Sequence, residues 1–218
     1  MSKDNNFKST KYILVTIRIL FVLIMLVLPL IVVIVYALKK GLNSYTNAVL
    51  DIYTIKALKL TLFTSIAAVL VNTIFGLFAA WCITKFTFRG KQVLTTLIDI
   101  PFAMSPVVAG LLFTLTFGRM GWAHPFLMSH NIKIVFAVPG IVLATIFVTF
   151  PFVSREIIPV LNAQGTDEEE AAALMGAGGF RIFRKITFPY IKWAFLYGII
   201  LCSARAMGEF GAVSVISG

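Results

Sequence analysis

Ionised side chains inside apolar stretches are the first candidates for chemistry, because a charge at membrane depth is expensive and faces the protein interior or a water-filled path. Arg205 and Glu209 stand four residues apart in an apolar run from about Trp193 to Val213. On a helix that spacing puts both on one face. Arg205 is the sole basic residue well inside such a run, and its planar donors suit the oxygens of an anion. Glu209 on the same face would offset its field and limit the depth of any trap. The competing reading is a structural ion pair that locks neighbouring helices. Ala204, Gly208 and Ala212 recur every four residues and permit close helix packing. Asp99 lies near one end of its apolar run, where a helix-breaking or partner-pairing role fits better than contact with an anion. His124 and His130 have no third ligand nearby in the sequence and read as surface residues. Cys82 and Cys202 lie in apolar segments with no disulfide framework and no metal-ligand spacing, so they read as packed thiols. No metal site is expected.

A second constellation is acidic and alanine-rich, from Asp167 through Glu170, Ala171 and Ala172 to Gly176. Thr166 with Glu169 fits a capping box. The acids suit the positive end of a helix dipole, and Gly176 suits a left-handed helix end. Phe180, Phe183 and Ile186 then recur every third residue with Arg181, Arg184 and Lys185 between them, until Pro189. The stretch predicts two short helices joined by a glycine turn, a compact knob suited to a groove on another protein.

The elements that must position these residues are membrane helices. The chain has 218 residues, 59% hydrophobic and 13% charged, against about 25% charged in a soluble domain. Its apolar residues fall in blocks of the ~20 residues that cross a bilayer, where the backbone must satisfy its own hydrogen bonds. Five spans are predicted: Ile19 to Leu38, Leu60 to Thr84, Val93 to Phe117, Ile134 to Val153, and Trp193 to Val213. Pro101 and Pro106 predict a kink or local unwinding in the third. Lys and Arg number twelve in the segments 1–18, 85–92 and 154–192, against six in 39–59 and 118–133. That excess places the N-terminus and the 154–192 loop in the cytoplasm. The reading is all-α and polytopic, with 1–59 as tail, first span and outer segment, and 60–218 as a membrane core carrying the long loop.

The sequence argues against several function classes. The net charge of +10 is spread between apolar blocks, which argues for lipid-headgroup anchoring and against nucleic acid. No G-x-x-x-x-G-K-[ST] sequence occurs, so the chain has no P-loop for ATP. No nucleophile–base or paired-carboxylate arrangement supports an intramembrane enzyme. A secondary transporter is expected to carry inverted repeats, and none is visible.

Glu170-Ala171-Ala172, three residues, Gly176, nine residues, then Ile186-Thr187-Phe188-Pro189 resembles the EAA loop of ABC importer permeases. Phe188 stands where that family usually has leucine. Asp99 to Gly110 is similar to a segment of sulfate permeases, and Ala204 to Ala212 to one shared by sulfate, molybdate and tungstate permeases. From about Leu60 to Gly218 the chain resembles the sulfate/thiosulfate permeases of the CysW type. The resemblance implies a type I ABC importer permease fold of six spans in a bacterial inner membrane. The implied partners are a second, CysT-type permease, ATP-binding subunits and a periplasmic sulfate-binding protein. It implies that Glu170, Ala171, Ala172, Gly176, Ile186 and Pro189 couple the permease to the ATPase. ATP and Mg would then be bound by that partner and no cofactor by this chain. It also implies a chain lacking its last span. Molybdate or tungstate transport is the alternative, and a secondary anion transporter the more distant one.

Overall fold

The computed structural model describes the backbone of residues 2–39 and 41–217, and the side chains of residues 11, 13–39 and 41–217. All regular elements among these residues are helical. The chain divides into two compact units, Met1–Leu58 and Lys59–Gly218.

In the first unit, α1 (Ser2–Val22) runs through a π-helical turn (Leu23–Val27) into α2 (Leu28–Leu38), and α3 (Leu42–Leu50) follows. The apolar stretch Ile13–Leu38 is 26 residues long. At about 1.5 Å per residue it exceeds the ~30 Å hydrocarbon core. None of its described residues is buried. The predicted start at Ile19 falls short, because Arg18 lies inside a continuous helix. α4 (Ile52–Lys85) begins in this unit and continues for 34 residues.

The second unit carries the rest of α4 and then α5 (Lys91–Ala103), α6 (Pro106–Phe117), α7 (His124–Ser129), α8 (Val138–Thr149) and α9 (Pro151–Gln164). These are followed by α10 (Asp167–Leu174), α11 (Gly179–Ile182), a π-helical turn (Phe183–Thr187), α12 (Phe188–Met207) and α13 (Gly211–Ser217). Among the described residues, four helices are long and apolar enough to cross a membrane, or five if the bent pair α5–α6 counts as one span.

The predicted third span is bent far more than a proline kink. α5 and α6 meet at 108°. Met104 and Ser105 are extended between them, because Pro106 disfavours the helical region for Ser105. Pro101 sits inside α5 without ending it. At the other side of the break Gly110 lies against the backbone of Ala212, where an added Cβ would come within 2.9 Å of the Ala212 carbonyl oxygen.

Two further boundaries differ from expectation. The fourth span does not end at Val153: α8 and α9 form one helix from Val138 to Gln164. The fifth begins at Gly179 rather than Trp193 and ends at Met207. Pro189 does not stop the second loop helix, since it occupies the first turn of α12, where a missing N–H costs nothing. Hydropathy locates the apolar core of a span, and these helices run past it into polar sequence. Between the helices that end at Gln164 and begin at Gly179 lie residues 165–178, with α10 at their centre.

α9 and α12 pack together around Val153, Ile157, Leu161, Ile191 and Cys202, with Ala80 of α4 in the same cluster. Ala109, Ala144, Val148, Ala212 and Ile216 join α6, α8 and α13. One buried polar node ties α4 to α8: Asn72 Nδ2 donates to Thr149 Oγ1 at 2.7 Å and to the Ile146 carbonyl at 3.1 Å. Buried side-chain hydrogen bonds of this kind hold membrane helices together.

Candidate functional site

The α10 segment is built as the sequence predicts in its turn and differently in its cap. The Gly176 N–H donates to the Ala173 carbonyl at 2.9 Å and the Ala177 N–H to the Ala172 carbonyl at 3.0 Å. This pair of bonds closes the helix in a Schellman motif, which requires a left-handed residue at the position of Gly176. Gly176 has φ +82°. Space around it is open, so any side chain there is opposed by the backbone conformation alone.

The capping box is not formed: the Thr166 side chain makes no cap bond. Glu169 turns away from the helix end, and its Oε1 lies 3.0 Å from Lys85 Nζ and accepts a 2.6 Å bond from Thr187 Oγ1. Lys85 Nζ also donates to the Gly165 carbonyl at 2.6 Å. Side-chain exposure is 7% for Lys85 and 16% for Glu169, and Thr187 is buried. Three elements thus meet at one carboxylate oxygen: the last residue of α4, the first turn of α10, and the π-helical turn before α12.

Of the residues the resemblance singled out, Ala172 is buried, Ile186 half-buried, and Glu170, Ala171, Gly176 and Pro189 exposed. Beside Glu170, Leu174 and Met175 are 90% and 82% exposed. Phe180 is also exposed. Leu174 and Met175 stand at the end of α10, while Phe180 lines one cleft with Trp81 and Phe183, and the rings of Trp81, Phe183 and Phe188 follow one another in tilted contacts near the ends of α4 and α12. An apolar tip beside carboxylates is a surface suited to a protein partner.

Sequence reasoning missed Lys85 and Thr187. Lys85 counted only as a topology charge, and Thr187 lay unremarked inside the motif. A basic residue closing an apolar helix immediately before a turn was the available signal for Lys85. Nothing local marked Thr187.

The membrane charges are also placed. Arg205 Nη1 lies 2.7 Å from Glu209 Oε2, with side-chain exposures of 29% and 1%. The two do not share one face of a continuous helix, because α12 stops at Met207. Glu209 instead sits in the joint before α13 and accepts the Ala212 N–H at 2.8 Å. Of the small residues spaced by four, only Ala212 is buried. Asp99 pairs with Arg155 at 3.0 Å, and the Arg155 guanidinium lies over the Phe102 ring at 4.2 Å. His130 Nδ1 lies 2.9 Å from Ser129 Oγ and 3.0 Å from the Phe126 carbonyl. His124 lines a separate cavity with Arg119 and Lys133. Cys202 is buried beside Thr149, and Cys82 half-buried.

Residues 72–218 match the family described as binding-protein-dependent transport system inner membrane component. The chain is 49% identical over 208 residues, 95% of its length and 72% of the relative's, to the sulfate transport system permease protein CysW of Escherichia coli (strain K12). It is 49% identical over 205 residues, 94% of its length and 72% of the relative's, to the protein of the same name from Synechococcus elongatus. Its fold is similar to that of a chain in the crystal structure of a bacterial ABC transporter involved in the import of the acidic polysaccharide alginate. That match has a TM-score of 0.83 at 18% identity, covering 99% of this chain and 80% of the other.

Proposed function

The chain belongs to the family of inner membrane components of binding-protein-dependent transport systems, and from that premise we propose that it is the permease subunit through which an ATP-driven importer moves sulfate or thiosulfate. The observation that carries the reading is 49% identity, over 95% of the chain, to a permease named for sulfate transport. The chain has no P-loop of its own, so ATP and Mg are held by a separate ATPase and this subunit binds no cofactor. A second permease of the CysT type and a periplasmic sulfate-binding protein complete the complex, which works in the bacterial cytoplasmic membrane.

The knob formed by α10, the Gly176 turn and α11 docks on the ATPase. Glu170, Leu174 and Met175 form its exposed contact face. Gly176 fixes the turn, the buried Ala172 anchors the knob, and Ile186 and Pro189 lie where the segment after the knob enters α12. Arg205 and Glu209 are a structural pair at the α12–α13 joint, a reading supported by the second bond of Glu209 to Ala212. The Lys and Arg distribution puts the N-terminus and the knob on the cytoplasmic side.

Uptake of radiolabelled sulfate tests the function. Cells lacking their own sulfate permeases should take it up when supplied with this chain and the partner subunits, and should stop when the ATPase gene is deleted. Uptake that survives that deletion would make the chain a secondary transporter. For orientation, a cysteine at Ser129 should react with a membrane-impermeant thiol reagent applied from outside and one at Glu168 should not. The opposite labelling pattern inverts the topology.

A further inference from the structure

α10 is joined to its neighbours through glycines on both sides. Gly165 (φ +72°) precedes it, and Gly176 (φ +82°), Gly178 and Gly179 follow. An added Cβ at any of these four would meet nothing within 4 Å, so no side-chain contact at the glycines themselves stiffens the joints. A helix joined in this way transmits a push poorly through its backbone alone. The side-chain tether that bypasses the hinges is the bond set of Glu169. It runs to Lys85 on α4 and Thr187 before α12, and Lys85 also holds the Gly165 carbonyl.

We infer that Lys85, Glu169 and Thr187 form a latch that makes the knob move as one body with the ends of α4 and α12, so that ATPase motion reaches the membrane helices through this bond set rather than through the hinged chain. The inference rests on the reading of the knob as the ATPase contact. Three observations support it. The latch is almost fully enclosed, unlike the Asp99–Arg155 pair, whose side chains are each 42% exposed. A bond to a desolvated charge is worth more than one screened by water. Thr187 is the last residue of a π-helical turn, an irregularity that recurs at functional sites in helices. The adjoining Gln164 has both amide atoms buried without a partner. A buried amide left without a protein partner is a cost carried at the Gly165 joint.

The latch residues position the knob and contact no substrate, so the decisive quantity is sulfate moved per ATP hydrolysed. It is measured in the complete complex, reconstituted in proteoliposomes with the binding protein. Lys85→Met and Glu169→Gln should assemble and hydrolyse ATP within about twofold of the parent. Sulfate moved per ATP should fall about tenfold, the size of one lost hydrogen bond to a charged group. Thr187→Val should lower it by a similar factor of about ten, because it too removes a bond to the charged carboxylate. The exchange Lys85→Glu with Glu169→Lys should restore part of the loss, and Lys85→Arg should keep most of it.

An unchanged ratio in Lys85→Met overturns the latch. So does a parallel loss of hydrolysis and transport at constant ratio, which would mean that docking alone was lost. If Lys85→Met fails to assemble, Thr187→Val decides, and an unchanged ratio there overturns the proposal. A parent complex that hydrolyses ATP but moves no sulfate would sink the transport reading instead, and leave the two failures distinguishable.

Discussion

Two short helices in this chain each have a glutamate bonded at their start, and the two glutamates are used differently. At the α12–α13 joint, Glu209 takes its partners from its own neighbourhood: Arg205 four residues before it and the Ala212 N–H three residues after it. At α10, Glu169 reaches Lys85 and Thr187, which are 84 residues before and 18 after. A local pair can stiffen only the joint that contains it. A pair drawn from separate elements ties their movements together. The glycines reinforce the contrast, since α10 has a left-handed glycine at each end while Gly208, before α13, has an ordinary negative φ.

The largest break in this comparison comes from the turn of the knob. Gly176→Val leaves open space around the side chain. It forces a β-branched residue into the left-handed region, at a cost of roughly 1–2 kcal/mol. The Schellman closure at Ala172 and Ala173 should open, and Leu174 and Met175 should leave their positions. Sulfate uptake should fall to background while the amount of protein in the membrane is unchanged. Uptake at the parent level would remove the knob from the coupling path.

A smaller effect is expected where the glutamate acts locally. Glu209→Ala removes the acceptor for the Ala212 N–H and leaves Arg205 without its partner. An uncompensated buried charge costs about 3–5 kcal/mol, and the part-exposed Arg205 reduces this to about 2 kcal/mol. The expected outcome is a lower yield of assembled complex in detergent, with normal transport per assembled complex. Arg205→Ala combined with Glu209→Ala should recover most of the yield, leaving a deficit of about 1 kcal/mol for the lost cap. Full assembly with lost uptake in the Arg205→Ala single variant would return Arg205 to the path of the anion.

The contrast between the two glutamates also explains what was legible in the sequence. Arg205 and Glu209 could be paired by counting, because four residues is a helical repeat, although Gly208 ends the helix before the repeat is complete. Gly176 could be assigned its conformation because helix-ending glycines follow local rules. Glu169 was assigned to a capping box by the same local logic, and there the logic failed. Its carboxylate gains more from a nearly buried ammonium and a hydroxyl than from the Thr166 backbone. Those partners are set by how α4, α9 and α12 come together, and no spacing encodes that. The span boundaries failed for a related reason. Arg155 and Pro159 look like loop residues when read singly, yet α9 runs through both because Val153, Ile157 and Leu161 bury one stripe against α4 and α12. The bend at Met104 and Ser105 was visible as two prolines, but neither its 108° angle nor the packing of α13 against α6 is written in them.

The third ion pair sets the lower end of the scale. Asp99 and Arg155 are as far apart in sequence as a tether requires, joining α5 to α9, and their 3.0 Å separation equals that of Lys85 and Glu169. If sequence distance and contact length decided which pair matters, Asp99→Asn would impair transport as much as Glu169→Gln. Exposure argues otherwise. Both side chains are 42% exposed, so water and salt screen the pair, and exposed pairs of this kind are worth about 1 kcal/mol or less. Arg155 also keeps its place over the Phe102 ring when the carboxylate is neutralised. Asp99→Asn should therefore change sulfate moved per ATP by less than about twofold, with unchanged assembly. A loss as large as that of Glu169→Gln would show that any bridge between these helices suffices, and that enclosure of the latch is not what distinguishes it.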